Sequence, residues 1–191
     1  MIEKRYLPKD CYSHRSLDTI SGVVIHYISA VNVAPDKKYD METIRKLFIE
    51  LCMPNMRGEL LNPDPAPDKK IYASAHFLVG RDGTTWQLVP EDDQAWHAGK
   101  SMYKNRSNLN GWTIGIEIVG EYDVPFEAVQ YKKAAELIEV IQSMPNADFV
   151  VERNLTTSGV IGHEHVATPL GRKKDPGPSF EWELLWDHLG V

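Results

Sequence analysis

The run Gly22-Val-Val-Ile-His-Tyr-Ile-Ser29 constrains the fold more than any other part of the chain. Its β-branched residues favour extended backbone, and its near-continuous apolarity suits a strand buried on both faces. The segments that follow supply partners and cover. Asp40 is placed to cap a helix over Met41 to Leu51, with Met41, Ile44, Leu47, Phe48 and Leu51 along one side. Ala73 to Val79 and Thr84 to Val89 flank Arg81-Asp82-Gly83, and an Asp-Gly pair between two strand-like runs predicts a hairpin. Trp112 to Val119 reads as a strand with Ile114, Ile116 and Ile118 on one face and Thr113, Gly115 and Glu117 on the other. A helix is expected from about Pro125 to Ser143, behind Asp123, with an apolar stripe of Phe126, Val129, Ala134, Leu137, Ile138 and Ile141. Gly159-Val-Ile-Gly162 is a short strand that ends at His163, and a last helix, Glu181 to Leu189, stops at Gly190. Strands and helices alternate around one hairpin, so the expected class is α/β, a mixed central β-sheet flanked by helices.

The chain has 191 residues, enough for one domain, 1–191, with its own core. There is no internal repeat and no Gly/Ser linker, and the Pro-rich stretch 62–68 comes too early to divide two domains. No apolar run approaches the roughly 20 residues that span a bilayer. The first residues lack the apolar core of a secretory signal, so synthesis in the cytoplasm is expected. Cys11 and Cys52 are then expected as free thiols. A net charge of −6, with no basic run among aromatics, argues against nucleic acid as a partner and gives no attraction to an anionic envelope.

Seven histidines are spread over the chain. His26 sits inside an apolar strand, where an imidazole needs a polar partner. His163 follows a strand and precedes the Gly/Pro-rich loop Pro169 to Pro178, which holds Asp175 beside Lys173 and Lys174. Two imidazoles and a carboxylate suit a catalytic zinc that keeps a fourth position for water, although spacing alone does not select the ligands.

Four stretches carry a resemblance: VVIHYIS (23–29), SAHFLVGRDGTTWQLVPEDDQAWHAG (74–99), NGWTIGIEIVG (110–120) and GVIGHEHV with GRKKDPGPSFEW (159–182). In this order they resemble the zinc-dependent type-2 N-acetylmuramoyl-L-alanine amidases, related to phage T7 lysozyme and the peptidoglycan recognition proteins. Within that class the chain is most similar to the cytoplasmic anhydro-muropeptide amidases and their phage endolysin relatives. The resemblance implies an amidase/peptidoglycan-recognition-protein-like fold and Zn2+ held by His26, His163 and Asp175. His163 is preferred to His165 because it directly follows Gly162, as in the family. Lys173 is preferred to Lys174 by its offset from Asp175.

The implied reaction is hydrolysis of the amide bond between N-acetylmuramic acid and L-alanine in peptidoglycan or muropeptides. Glu117 would take the proton of the attacking water and pass it to the leaving nitrogen. Thr113 and Gly115, small residues on its face, would leave room for substrate. Lys173 would stabilise the oxyanion. His76, Trp96 and His97 are placed around the cleft as candidate substrate contacts. Cys11, His14, His165 and His188 are left as packed or surface residues. A binding module without catalysis is the alternative, and the complete ligand set argues against it. A zinc hydrolase of some other amide would use the same residues. Two settings fit: recycling of muropeptides in the cytoplasm, or wall lysis after release through a holin-type membrane-opening partner.

Overall fold

The computed structural model describes residues 1–15, 19–61 and 71–191. The Pro-rich stretch 62–68 lies outside the described residues. In chain order the regular elements are β1 (Ile2–Lys4), β2 (Tyr12–His14), β3 (Val23–Ile28), α1 (Met41–Cys52), β4 (Phe77–Val79), β5 (Thr85–Gln87), β6 (Asp93–Ala95), β7 (Met102–Tyr103), β8 (Arg106–Ser107), β9 (Ile114–Val119), α2 (Ala128–Gln142), β10 (Val160–Gly162), α3 (His163–Val166) and α4 (Trp182–Leu189). Six strands form one sheet in the order β1-β5-β4-β9-β3-β10. β4 and β5 pair antiparallel through the expected hairpin, whose turn places Gly83 at a positive φ of 83°. Every other neighbouring pair in this sheet is parallel. The sheet is therefore mixed, as the alternation of strand and helix patterns predicts.

β3 occupies the interior because its residues leave it no other place. Val23, Val24 and Ile25 have no exposed surface. Ile25 points with Val79, Ile114 and Ile116 into a core closed by Leu137 and Ile138 of α2 and Trp186 of α4. On the opposite face Leu78 and Trp86 pack with Ile44 and Phe48 of α1. Val24 and Ile161 on that same side pack with Leu109, Trp112 and Val166. Each fully buried aliphatic side chain contributes on the order of 1.5–3 kcal/mol, so both faces of β3 are anchored and its register is fixed.

The helix boundaries show where local signals compete. Asp40 caps α1 as expected, accepting from the Thr43 N–H at 2.8 Å. α2 begins after Glu127 rather than near Pro125, and Gln130 Oε1 takes the Glu127 N–H at 2.9 Å. Gly190 closes α4 in the left-handed region, φ 70°. β1, β2 and the two-residue strands β7 and β8 carry no alternating pattern long enough to read.

Candidate active site

Three parallel strands converge on one place. β3 and β9 pair so that His26 lies directly opposite Glu117. β10 runs on the other side of β3, with Gly162 opposite Ile25. His163 follows at once as the first residue of α3. Strand alternation puts His26 with Val24 on the face opposite Ile25, and Glu117 with Thr113 and Gly115 on that same face. Asp175 arrives from the loop after α3, held there by the Glu164 N–H, which donates to its carbonyl at 2.8 Å. The Arg172 guanidinium ties this loop down by donating to the carbonyls of Thr168, Ala98 and Lys100.

His26 Nδ1, His163 Nδ1 and Asp175 Oδ2 meet at 2.9 to 3.1 Å from one another. The second nitrogen of His163 faces the Ala98 carbonyl at 3.1 Å. A carbonyl only accepts, so His163 Nε2 carries the proton and Nδ1 presents a lone pair. Burial, reinforced by His163 alongside, lowers the His26 pKa to about 4, so this ring is neutral at neutral pH. In the neutral ring, a cation shared by the His163 lone pair and the carboxylate oxygen accounts for so close an approach. The donor set, two imidazoles and one carboxylate, fits a zinc ion. Among the described residues this is the one such cluster of histidine, cysteine and acidic side chains.

The cluster forms the floor of a cleft of about 400 Å³ that Glu117, Trp96, His97, Lys173 and Lys174 also line. Glu117 is buried, and its Oε2 has no hydrogen-bond partner among the described residues. Burial first, then the charge of Asp175, raises its carboxyl well above the usual range, while Lys173 pulls the other way. Lys173 thus acts electrostatically on both Glu117 and His26. The Lys174 ammonium lies 5.9 Å above the Tyr122 ring.

The remaining sequence candidates separate by burial. Trp96 is half-buried on the cleft wall, edge-on to Tyr72 at 4.7 Å between ring centroids. His97 lines the cleft but is 8% exposed, and its Nδ1 lies 3.1 Å from His26 Nε2. His76 does not line the cleft. It is fully buried, its Nδ1 accepts the Gly115 N–H at 2.9 Å and its Nε2 faces the Asp93 carbonyl at 3.2 Å. His165 is in a helical turn rather than an extended strand, so it diverges from His163. Its Nδ1 accepts the Gly162 N–H at 3.2 Å. His14 and His188 are exposed, and Cys11 and Cys52 are buried, with Cys52 Sγ donating to the Ala73 carbonyl at 3.0 Å.

His76, expected at the cleft, is thus a buried residue beneath it, and a second expectation also changes. Thr113 and Gly115 do not open space for substrate. Thr113 is fully buried, and the space above Gly115 is taken by His97, whose Cγ would lie 2.4 Å from an added Cβ. Glycine is needed because the imidazole packs directly on the strand. Arg15 is the residue that sequence reading missed. Buried beneath the site, it donates to the carbonyls of Glu91, Asp93 and Thr113. No local pattern marks it, since an arginine after a short strand reads as surface.

A family model described as N-acetylmuramoyl-L-alanine amidase matches residues 16–178. The chain belongs to the N-acetylmuramoyl-L-alanine amidase family. It is an amide hydrolase, acting on the bond between N-acetylmuramic acid and L-alanine. It is 33% identical over 185 residues to the 1,6-anhydro-N-acetylmuramyl-L-alanine amidase AmpD of Enterobacter cloacae, covering 95% of this chain and 88% of that one. A crystal structure of a selenomethionine AmpD derivative superposes with a TM-score of 0.73 at 32% identity, covering 98% of this chain and 94% of the other. The amidase AmiD of Escherichia coli, solved with the substrate anhydro-N-acetylmuramic acid-L-Ala-D-gamma-Glu-L-Lys, gives a TM-score of 0.58 at 28% identity, covering 90% of this chain and 58% of that one. The mixed sheet flanked by helices is thus the amidase fold that the resemblance implies. No helix among the described residues is long and apolar enough to cross a membrane.

Proposed function

We propose that residues 1–191 act as one catalytic domain that holds a zinc ion through His26, His163 and Asp175 and hydrolyses soluble 1,6-anhydro-muropeptides. The observation that carries this reading is the approach of two imidazole nitrogens and a carboxylate oxygen to 2.9–3.1 Å beside an unpartnered, buried Glu117 oxygen. Zinc in this position supplies a Lewis acid that polarises the scissile carbonyl and acidifies the attacking water. Glu117 takes the proton of that water and delivers it to the alanine nitrogen as the C–N bond breaks. Burial raises its pKa, which favours uptake of that proton. Lys173 places positive charge where the carbonyl oxygen becomes negative. Trp96 offers an aromatic face to the muropeptide, His97 adds the few atoms it exposes, and His76 shapes the floor from below.

The soluble substrate is favoured by the likeness to AmpD over nearly the full chain and by the net charge of −6, which does not draw the protein to an anionic wall. The place of action is then the cytoplasm. Turnover of purified protein on soluble anhydro-muropeptides and on intact sacculi, with and without a chelator, tests the reading. Faster release from the soluble substrate, abolished by the chelator and restored by zinc, is the expected result. Preference for sacculi would assign the protein to wall lysis, with a membrane-opening partner. Activity unaffected by chelation would remove the metal.

A further inference from the structure

Beneath the cleft runs a chain of hydrogen bonds whose direction can be read from its far end. Thr113 Oγ1 lies 2.6 Å from the Leu109 carbonyl oxygen. A carbonyl only accepts, so the single hydroxyl proton of Thr113 is committed there. The Thr113 oxygen is then an acceptor toward His97 Nε2, 3.3 Å away, and His97 carries its proton on Nε2. That leaves a lone pair on His97 Nδ1, which faces His26 Nε2 at 3.1 Å. In this orientation of the chain His26 holds its proton on Nε2, which leaves its Nδ1 bare toward Asp175 Oδ2, an arrangement that a cation between the two would favour. Thr113 and His26 are buried, and His97 exposes only 8% of its surface, so few alternative partners compete for these bonds.

The two histidines of the cluster are therefore set in different ways. His163 is fixed by a backbone carbonyl, which no side-chain substitution removes. His26 is fixed through two further side chains. We propose that Thr113 and His97 are positioning residues that hold His26 in the tautomer whose Nδ1 can bind a divalent cation. This rests on the reading of His26 as a metal ligand. Gly115 belongs to the same device, because any Cβ there meets the His97 ring at 2.4 Å. Without the Thr113 hydroxyl, His97 is free to carry its proton on Nδ1. It would then donate to His26 Nε2 and leave the His26 proton on Nδ1, where it blocks the cation.

The test compares Thr113→Val, Thr113→Ser and wild type, each checked for folding by circular dichroism. Zinc affinity is measured by competition with a chromophoric chelator, and imidazole tautomers of the zinc-free proteins by long-range ¹H–¹⁵N correlation. Loss of a partner that orients a metal-binding histidine typically weakens the metal by about 10- to 100-fold. A drop of that size is expected for Thr113→Val, with His26 moving from the Nε2–H toward the Nδ1–H form. Thr113→Ser, which keeps the hydroxyl, should bind zinc as wild type does. Simple packing would give the reverse order, since valine keeps the β-branched shape and serine loses a methyl group. His97→Asn, which returns an acceptor near the Nδ1 position, should bind zinc more tightly than His97→Phe. Unchanged affinity in Thr113→Val, or a wild-type His26 protonated on Nδ1, overturns the proposal. Zinc loading that survives His26→Ala removes the ligand assignment itself, a separate failure because the zinc-free tautomers are read independently.

Discussion

At the residue scale the site places its charges by burial. Glu117 is a carboxyl on a fully buried strand, with one oxygen unpartnered and its acidity weakened by its surroundings. Glu117→Gln should keep the zinc and the fold while kcat falls by roughly 10²–10⁴-fold, the usual cost of losing a general base. Steady-state kinetics with metal analysis of the same sample checks this, and near-normal turnover of the zinc-loaded variant would return Glu117 to a structural role. The two lysines of the loop offer a paired comparison. Lys173 acts on Glu117 and His26, whereas Lys174 lies over Tyr122. Lys173→Ala should lower kcat by about 10²–10³-fold with a smaller change in KM, as when an oxyanion donor is lost. Lys174→Ala should change little. Equal small effects from both would make the lysines a solvated surface pair.

At the element scale, α1 depends on its first turn. The Asp40 side chain accepts both the Thr43 N–H and the Thr43 hydroxyl, at 2.8 and 2.6 Å. These bonds favour the ionised carboxylate, the side-chain bond most, and lower the Asp40 pKa. A carboxylate with a depressed folded-state pKa contributes stability that is complete above its unfolded pKa and lost as pH falls through the folded one. Asp40→Ala should therefore cost about 1 kcal/mol near neutral pH and much less in acid below the carboxylate range. Asp40→Asn, an equally good cap without a charge to lose, should show no such pH dependence. Urea denaturation at the two pH values separates the variants, and equal losses for Asp40→Ala at both would refute the cap's charge dependence.

At the scale of the whole molecule, the proposed ligands come from one strand, one helix start and one loop, 137 and 149 residues apart from His26. The unfolded chain cannot bring them together, so a metal they hold binds the folded state alone and stabilises it by mass action. At free zinc a hundred-fold above Kd the gain is about 2.7 kcal/mol. Chelation should lower Tm reversibly, and His26→Ala should show the same Tm with and without chelator. A chelator-dependent Tm that persists in His26→Ala would place the metal elsewhere.

Much of this was legible in sequence because its cause is local. The apolarity of residues 23–28 makes β3 central, the Asp-Gly pair makes the β4–β5 hairpin, and the period-two pattern of 114–119 sets Glu117 apart from Ile116. The family motifs picked out the three residues that meet in the cluster. Other features depend on which segments the fold brings together. Nothing around His76 tells that the Gly115 N–H will meet its Nδ1 while Arg15 and the Asp93 carbonyl both reach its Nε2, and nothing around Thr113 tells that its hydroxyl will end a chain leading to His26. Strand periodicity gives a side chain its face but not its neighbour. The sequence by itself determined the sheet's central strands and the kind of chemistry they carry. Only the tertiary structure decided which polar groups are shut away from water, and with whom, because a buried hydrogen bond is set by packing between elements distant in the chain.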